Sequence, residues 1–266
     1  MSVKRQSRRW LGAALLTNLK YQKSLVDLQL HNNALGREAA HSLETILAQP
    51  AGSTHLATLN LACNKLGDAG AKALAAGLVD NFSLICLDLR DNGIGAPGAG
   101  YLGKMLDDNS ILIELNLSWN CIRGSGGRRL GQSFGRNDML QILDLNWNAL
   151  GNQGAQEFGK SLETNTTLEK LDLSNNGITE AGTQCLATAI RVNATLRSLQ
   201  LNGNSVGSEG GKAIMAALKV LGNSRDIGLQ GCEFKGALVQ ALRALGFELT
   251  TMGASVRRNR KEQAAV

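Results

Sequence analysis

The chain has 266 residues, of which 43% are hydrophobic, 4% aromatic and 19% charged, with a formal net charge of +6. At this length the chain exceeds the usual size of one globular domain. No apolar run approaches the roughly 18 residues of a membrane span, so a transmembrane protein is not expected.

The positive charge is concentrated at the two ends of the chain. Residues 1–9 contain four basic residues, and residues 257–266 contain four basic residues and one acidic residue. Without these ends, 20 basic and 21 acidic residues remain, a net charge of −1. Basic arms can contact nucleic acid, acidic lipid or acidic proteins. Solvated tails are the simpler interpretation, so nucleic acid is not the expected partner.

In chain order, a basic arm (1–9) precedes an amphipathic segment that is predicted to form a capping helix (10–24). Seven copies of one pattern follow (25–223), then a degenerate copy that closes the domain (224–252) and a basic tail (253–266). The predicted domain therefore covers residues 10–250 without a linker. The first step between copies is 31 residues instead of 28, and we assign the extra residues to a loop around Gln49–Ser53.

One copy predicts a strand, a loop and a helix. Leu171 and Leu173 are two residues apart, so both point to one side of a short strand while Asp172 points to the other. Asn176 then follows, and its amide is expected to bond backbone groups of the adjoining loops. Glu180–Val192 has helical apolar spacing. The closing Asn recurs every 28 residues, at Asn64, Asn92, Asn120, Asn148, Asn176 and Asn204.

A second Asn recurs at the end of each predicted helix, at Asn81, Asn109, Asn137, Asn165 and Asn193, and is interpreted as a helix stop. The decaying last copy has Cys232 in the place of the closing Asn, a predicted helix over Lys235–Leu245 and a possible closing strand at Phe247–Met252. A repeat of this length and pattern is typical of leucine-rich repeats. The fold prediction is an α/β solenoid, a horseshoe with a concave parallel sheet and convex helices.

Several motifs suggest catalysis or cofactor binding but are explained by the repeat. Gly93–Gly98 matches G-x-G-x-x-G and Gly203–Gly207 matches G-x-S-x-G, yet both reuse repeat positions. The three histidines, His31, His41 and His55, lie in the first two copies and form no metal-binding motif. We therefore predict no catalytic residues, no metal, no cofactor and no small-molecule substrate; the protein is not expected to be an enzyme.

Cysteine usage and the N-terminus bear on the compartment. The five cysteines are odd in number and form no CxxC pair, which suggests a reducing compartment. A cytoplasmic location is therefore predicted. The N-terminus is basic and free of acidic residues before Asp27, a composition that also fits a mitochondrial transit peptide, which we keep as the lesser alternative.

Two places in each repeat are expected to face the concave side. The place between the strand leucines reads Gln29, Asn60, Asp88, Asn116, Asp144, Asp172 and Gln200. The place before the closing Asn reads Asn32, Cys63, Asp91, Trp119, Trp147, Asn175 and Gly203. Parallel strands lie about 4.8 Å apart, so the two tryptophans should be neighbours on a polar, acidic face.

Partly exposed tryptophans are frequent hot spots at protein interfaces. The predicted protein-binding set combines them with a polar rim that would attract a basic partner: Trp119, Trp147, Asp88, Arg90, Asp91, Glu114, Asp144 and Asp172. The alternative is that both indoles pack onto the next loop. A separate basic stretch without acidic residues contains Arg123, Arg128, Arg129 and Arg136, which either binds an acidic partner or phosphate or is a solvated helix face.

The motif LxxLxLxxNxLGxxGaxxLaxxLxxNxxL, seen over Leu56–Leu84, resembles the ribonuclease-inhibitor-like subfamily of leucine-rich repeats. Residues 115–151 resemble the small intracellular leucine-rich repeat proteins of the "74" and "34" types, which implies a binding scaffold, a subunit of a larger assembly, in a cilium, flagellum or axoneme. Ribonuclease inhibitors are far richer in Cys, so that activity is not expected. The alternative function is that of a Ran-type GTPase-activating protein, although this C-terminal tail is basic where that family has an acidic one.

Overall fold

The computed structural model describes residues 24–49, 55–220 and 225–232, together with residue 240 and the segments 247–248 and 257–258. The predicted basic arm, the capping helix and most of the inserted loop lie outside these residues. So do nearly all of the last predicted helix and most of the basic tail.

The described residues form one sheet of eight three-residue strands in which every neighbouring pair is parallel and follows chain order. Its strands are β1 (Asp27–Gln29), β2 (Thr58–Asn60), β3 (Cys86–Asp88), β4 (Glu114–Asn116), β5 (Ile142–Asp144), β6 (Lys170–Asp172), β7 (Ser198–Gln200) and β8 (Asp226–Gly228). Each strand pairs with the equivalent residues of the next repeat, Leu115 with Leu143 for example.

A helix follows each of the first seven strands, which confirms the predicted α/β solenoid. The helices are α1 (Gly36–Leu47), α2 (Gly67–Leu78), α3 (Ala96–Asp108), α4 (Arg123–Phe134), α5 (Gly151–Leu162), α6 (Glu180–Val192) and α7 (Gly207–Val220). The sequence placed α6 at these same bounds. Neighbouring helices approach closely at small residues: a Cβ atom on Gly77 would lie 2.8 Å from the carbonyl oxygen of Glu44. Within the described residues, no helix has the length and hydropathy needed to cross a membrane.

The core is a set of leucine rows that run along the solenoid between sheet and helices. In the fourth repeat, Leu112, Leu115 and Leu117 are buried, and their equivalents are buried in each neighbouring repeat. Phe134 and Phe158 fill the space between adjacent helices, with ring centroids 5.7 Å apart. Each repeat therefore buries its apolar side against the next one, so that none has a complete core by itself.

The closing asparagines form a buried ladder, as predicted for Asn176. The Asn176 Nδ2 donates to the carbonyl oxygens of Leu145, at 2.9 Å, and Ser174, at 3.0 Å. Its Oδ1 accepts from the backbone N–H of Asn148, at 3.1 Å, and of Leu150, at 3.2 Å. The side chain thus replaces bonds that the backbone loses where each strand turns toward its helix.

Cys232 ends this ladder in the position that the sequence assigned to it. Its Sγ lies 3.3 Å from the carbonyl oxygen of Leu201 and donates to it, as Asn204 Nδ2 does to Leu173 at 2.9 Å one repeat earlier. Burial raises the pKa of the Cys232 thiol to about 11. The thiol therefore stays protonated and remains a donor at neutral pH.

The second set of asparagines forms another ladder, and two of them, Asn109 and Asn193, end a helix in an extended conformation. Asn193 has φ −68° and ψ 131°, an extended conformation instead of the left-handed one common at helix ends. Its Oδ1 accepts from the N–H of Thr195 and Leu196, and its Nδ2 donates to the carbonyl oxygen of Leu162 in the preceding repeat. Arg225 completes this ladder, because its guanidinium donates to the carbonyl oxygens of Ile190 and Asn193.

Two short strands near the C-terminus pair outside the main sheet. Strand β9 (Phe247–Glu248) lies within the predicted closing strand. It pairs antiparallel with β10 (Arg257–Arg258), which the sequence had placed in the basic tail. At least these two tail residues are therefore part of the folded C-terminal end.

Candidate functional site on the concave face

The strand register places the candidate carboxylates in rows across the concave side. Asp88, Asn116, Asp144 and Asp172 are direct partners on β3, β4, β5 and β6. Glu114 lies two residues before Asn116, in the row that begins each of these strands. The 28-residue period therefore brings together side chains that are far apart in the chain.

Trp119 and Trp147 form a stacked pair at the edge of this face. Their ring centroids are 4.8 Å apart and their planes are inclined by 19°. They keep 53% and 47% of their surface exposed. The predicted adjacency is confirmed; the indoles stack on each other and still expose about half of their surface to solvent.

Both tryptophans have a backbone conformation that is rare for large side chains. Each has φ 57°, in the left-handed region, because this place in the repeat forms the turn that leaves the strand. Other repeats have residues there that tolerate this region better, such as Asn32, Asp91 and Gly203. The recurrence of Asn, Asp and Gly at this place of the repeat is visible in the sequence and indicates a left-handed backbone conformation there.

Asp144 has the most perturbed carboxyl group of the candidate set. Burial raises its pKa to about 6, and the neighbouring Asp172 and Asp88 carboxylates add to the shift. The N–H of Asn146, which donates to Asp144 Oδ1 at 2.9 Å, and the charge of Arg90 act in the opposite direction. Perturbed acids in a concave surface are typical of functional sites.

The remaining candidates lie on the side of the site toward the N-terminus. Arg90 Nη2 lies 3.8 Å from Asp88 Oδ2, so part of its charge is neutralised within its own repeat. Glu114 accepts a weak hydrogen bond from Cys86 Sγ at 3.9 Å. Asp91 is exposed and raises the pKa of the Cys63 thiol, second to burial, through a hydrogen bond. These side chains form a polar border to the tryptophan pair.

The glycine-rich match Gly93–Gly98 binds a carboxylate of the same chain. The N–H groups of Gly95 and Gly98 both donate to Asp68 Oδ1, at 2.7 and 2.9 Å. Asp68 lies in the first turn of α2 and thus caps the start of α3 in the next repeat. The N–H groups that would hold a phosphate in a dinucleotide site are therefore already used.

Part of the positive charge of the arginine stretch in the fourth repeat is neutralised by an acidic residue. Arg136 donates to Asp107, with Nη2 2.7 Å and Nε 3.0 Å from Oδ1, so its charge is paired across the repeat boundary. Arg128 and Arg129 are exposed on the convex side, where Arg129 lies over Gly100 of the neighbouring helix. The stretch contains no acidic residue in sequence, but the fold brings one to it from the preceding repeat.

The chain belongs to the leucine-rich repeat family. The family profile described as "Leucine Rich repeat" matches six segments of 24 residues, 144 of the 266 residues: 52–75, 80–103, 108–131, 136–159, 164–187 and 192–215. Each segment covers one strand, the loop that follows it and the first part of the next helix. The family is typically a protein-interaction module and is usually non-catalytic.

Solved structures of similar fold include actin-binding site 2 of leiomodin-1, with 16% identity, a TM-score of 0.46 and coverage of 68% of this chain and 87% of that one. The C-terminal domain of tropomodulin from Caenorhabditis elegans has 14% identity and a TM-score of 0.47, covering 57% and 92%. An internalin (InlF) from Listeria monocytogenes has 17% identity and a TM-score of 0.46, covering 83% and 51%. A comparison with curated proteins gives no match. At these identities the likeness concerns the fold alone.

Proposed function

We propose that this protein is a non-catalytic interaction module that binds a protein partner on its concave face, centred on Trp119 and Trp147. The observation that carries the proposal is the stacked, half-exposed indole pair on an otherwise polar face. Tryptophan at such positions supplies a large rigid contact area at a small cost in conformational entropy.

The indole pair gains part of its free energy on folding and leaves the rest for a partner. A left-handed conformation costs a large L-residue about 1–2 kcal/mol, and this cost arises at both positions. Stacking of two aromatic rings returns about 0.5–1.5 kcal/mol. This gain is additional to the burial of about half of each indole, and the exposed halves gain free energy only when a partner covers them.

The finer part of the proposal is that the protein is a subunit of a larger assembly. Its support is the resemblance of residues 115–151 to the "74" and "34" types of the ribonuclease-inhibitor-like subfamily. On this basis we propose a cytoplasmic or ciliary and axonemal assembly as the setting. Imaging of the tagged protein in a ciliated cell tests this: absence from the axoneme would exclude that setting and leave the binding role unaffected.

The binding role is tested with the double variant Trp119→Asn, Trp147→Asn. Asparagine occupies the same turn position at Asn175, so the variant should fold normally. Affinity purification with quantitative mass spectrometry should show one defined set of partners that the wild type retains and the double variant loses. Tyr101→Ala, which removes a 41% exposed aromatic from α3 on the convex side, is the matched control and should retain that set. An unchanged partner set in a folded double variant would exclude the concave tryptophans as the binding site.

A further inference from the structure

The concave face around the indole pair has an excess of negative charge. Asp88, Asp91, Glu114, Asp144 and Asp172 lie on it, against Arg90 and Lys170. Arg90 is already paired with Asp88. Charge complementarity therefore favours a cationic group as the part of the partner that lies on Trp119 and Trp147.

We infer that the partner inserts an arginine side chain into the concave face, with its stem across Trp119 and Trp147 and its guanidinium on Asp144 and Asp172, and that acidification to about pH 5 releases it. This inference rests on the proposed function. It specifies the chemical group that binds at that site and the pH dependence of its binding.

The distances along the sheet fit a side chain of this length. Trp147 follows Asp144 by three residues, which is at most about 10 Å because the chain turns at Trp147. Asp172 is the direct partner of Asp144 on β6. One long side chain that lies across an indole can thus place its charged end at the two carboxylates.

Arginine fits this arrangement better than lysine. A guanidinium is planar, stacks on aromatic faces and donates in a bidentate manner to carboxylates, whereas an ammonium is compact and more strongly hydrated. The site offers both surfaces at once, two indoles at its edge and two neighbouring carboxylates on adjacent strands.

A further polar group that lacks a hydrogen-bond partner within the described part of the chain lies beside Asp172. The Ser174 hydroxyl is buried and has no hydrogen-bond partner among the described residues. Its equivalent two repeats earlier, Ser118, donates to Asn116 Oδ1 at 2.7 Å. Buried hydroxyl groups are usually satisfied, and because the Ser174 oxygen exposes less than 1 Å², a partner reaches it only if neighbouring side chains move.

The dependence on pH comes from Asp144. The ionisable groups around it are Glu114 on β4, Asp172 and Lys170 on β6, and Asp88 and Arg90 in the third repeat. With its pKa raised to about 6, Asp144 is ionised at pH 7.5, but only about one-eleventh of the molecules retain the charge at pH 5. A carboxyl at the ordinary value of 3.8 would stay more than nine-tenths ionised there.

The same shift makes Asp144→Asn a variant that should fold well. A carboxyl whose pKa is higher in the folded than in the unfolded state destabilises the fold above that pKa and does so less as the pH falls toward the unfolded value. Replacement of Asp144 by a neutral isostere therefore should raise stability at pH 7.5. A loss of binding in this variant would not come from misfolding.

The experiment is calorimetric titration of the full chain with hexa-arginine, hexa-lysine and hexa-glutamine peptides at pH 7.5 and 5.0 and constant ionic strength. For hexa-arginine, we expect the Kd to rise about tenfold from pH 7.5 to 5.0, because the ionised fraction of Asp144 falls by that factor. Hexa-lysine should bind more weakly and hexa-glutamine should not bind. Asp144→Asn should weaken hexa-arginine binding about tenfold at pH 7.5 and remove most of the change with pH, whereas Asp108→Asn on α3, the matched control, should behave as wild type.

The outcomes separate the two proposals. If the tryptophan double variant loses the native partners but Asp144→Asn and acidification leave hexa-arginine binding unchanged, the proposed function stands and this inference is wrong. Equal binding of hexa-arginine and hexa-glutamine would also overturn the inference. If the double variant keeps every native partner, the proposed function fails whatever the peptides show.

Discussion

Trp147 and Asn148 are adjacent in one loop and differ in what they contribute to the fold. Asn148 is fully buried, and its Nδ2 donates to the carbonyl oxygens of Leu117, at 2.8 Å, and Leu145, at 3.1 Å. Trp147 is half exposed in a left-handed conformation. Asn148 thus joins two repeats, whereas Trp147 presents an apolar surface in a strained backbone conformation.

A pair of single substitutions measures this difference. Asn148→Ala should lower the free energy of unfolding by at least about 2 kcal/mol, because each buried group left without a partner costs about 1–3 kcal/mol. Trp147→Asn should cost less than Asn148→Ala, since relief of strain offsets part of the lost stack and of the lost apolar burial. Urea unfolding of both variants gives the comparison. A larger loss for Trp147→Asn than for Asn148→Ala would show that the indole pair stabilises the fold.

At the scale of the elements, each helix depends on residues of its neighbours for its ends. Asp68 in α2 caps the start of α3, and Asn152 in α5 accepts from the N–H groups of Thr179 and Gly182 at the start of α6. Arg225 completes the ladder of asparagines at the helix ends. It follows α7 in the chain and donates to carbonyl oxygens at the end of α6. Burial lowers the pKa of its guanidinium, but the ordinary value is so high that the group remains charged at neutral pH.

Arg225→Met is expected to loosen the C-terminal end of the array. The substitution keeps an apolar stem but leaves the carbonyl oxygens of Ile190 and Asn193 without this donor, at about 1–3 kcal/mol. Hydrogen exchange should quicken in α7 and β8 and stay unchanged in α1 to α4, because repeats contact only their neighbours. Arg191→Met, at an exposed position in the last turn of α6, is the control and should leave exchange as in the wild type. Uniform acceleration along the whole chain would contradict the local role of Arg225.

At the scale of the whole molecule, the repeats share one strand register and one set of buried positions, but their surface residues differ. Strands and leucine rows continue through all described repeats. Within the described residues, the indole pair and the partly buried carboxylate of Asp144 lie in the fourth and fifth repeats, next to the polar border of the third. The central repeats thus combine a general scaffold with one particular surface.

Deletion of one whole period tests this modular construction. Removal of residues 85–112 joins Leu84 to Ile113, the residue that follows its equivalent Leu112. Every leucine row then stays in register, and the tryptophan pair is retained. The shortened chain should unfold cooperatively, with a denaturant m-value lower by about one-tenth because less surface is exposed. Removal of residues 85–98, half a period, breaks the register and should prevent folding. A half-period variant as stable as the whole-period one would refute the assignment of the repeat unit.

The sequence alone determined the period, the strand and helix positions, the two rows of asparagines and the residues that share a face. These follow from a spacing of 28 residues, which places Trp119 beside Trp147 and Asp144 beside Asp172 without knowledge of any coordinate. Only the tertiary structure decided the stacking and strain of the indoles, the burial of Asp144, the pairing of Arg136 with Asp107 and the role of Arg225. Those depend on the directions of side chains and on the solvent that neighbouring repeats exclude, and neither is set by spacing along the chain.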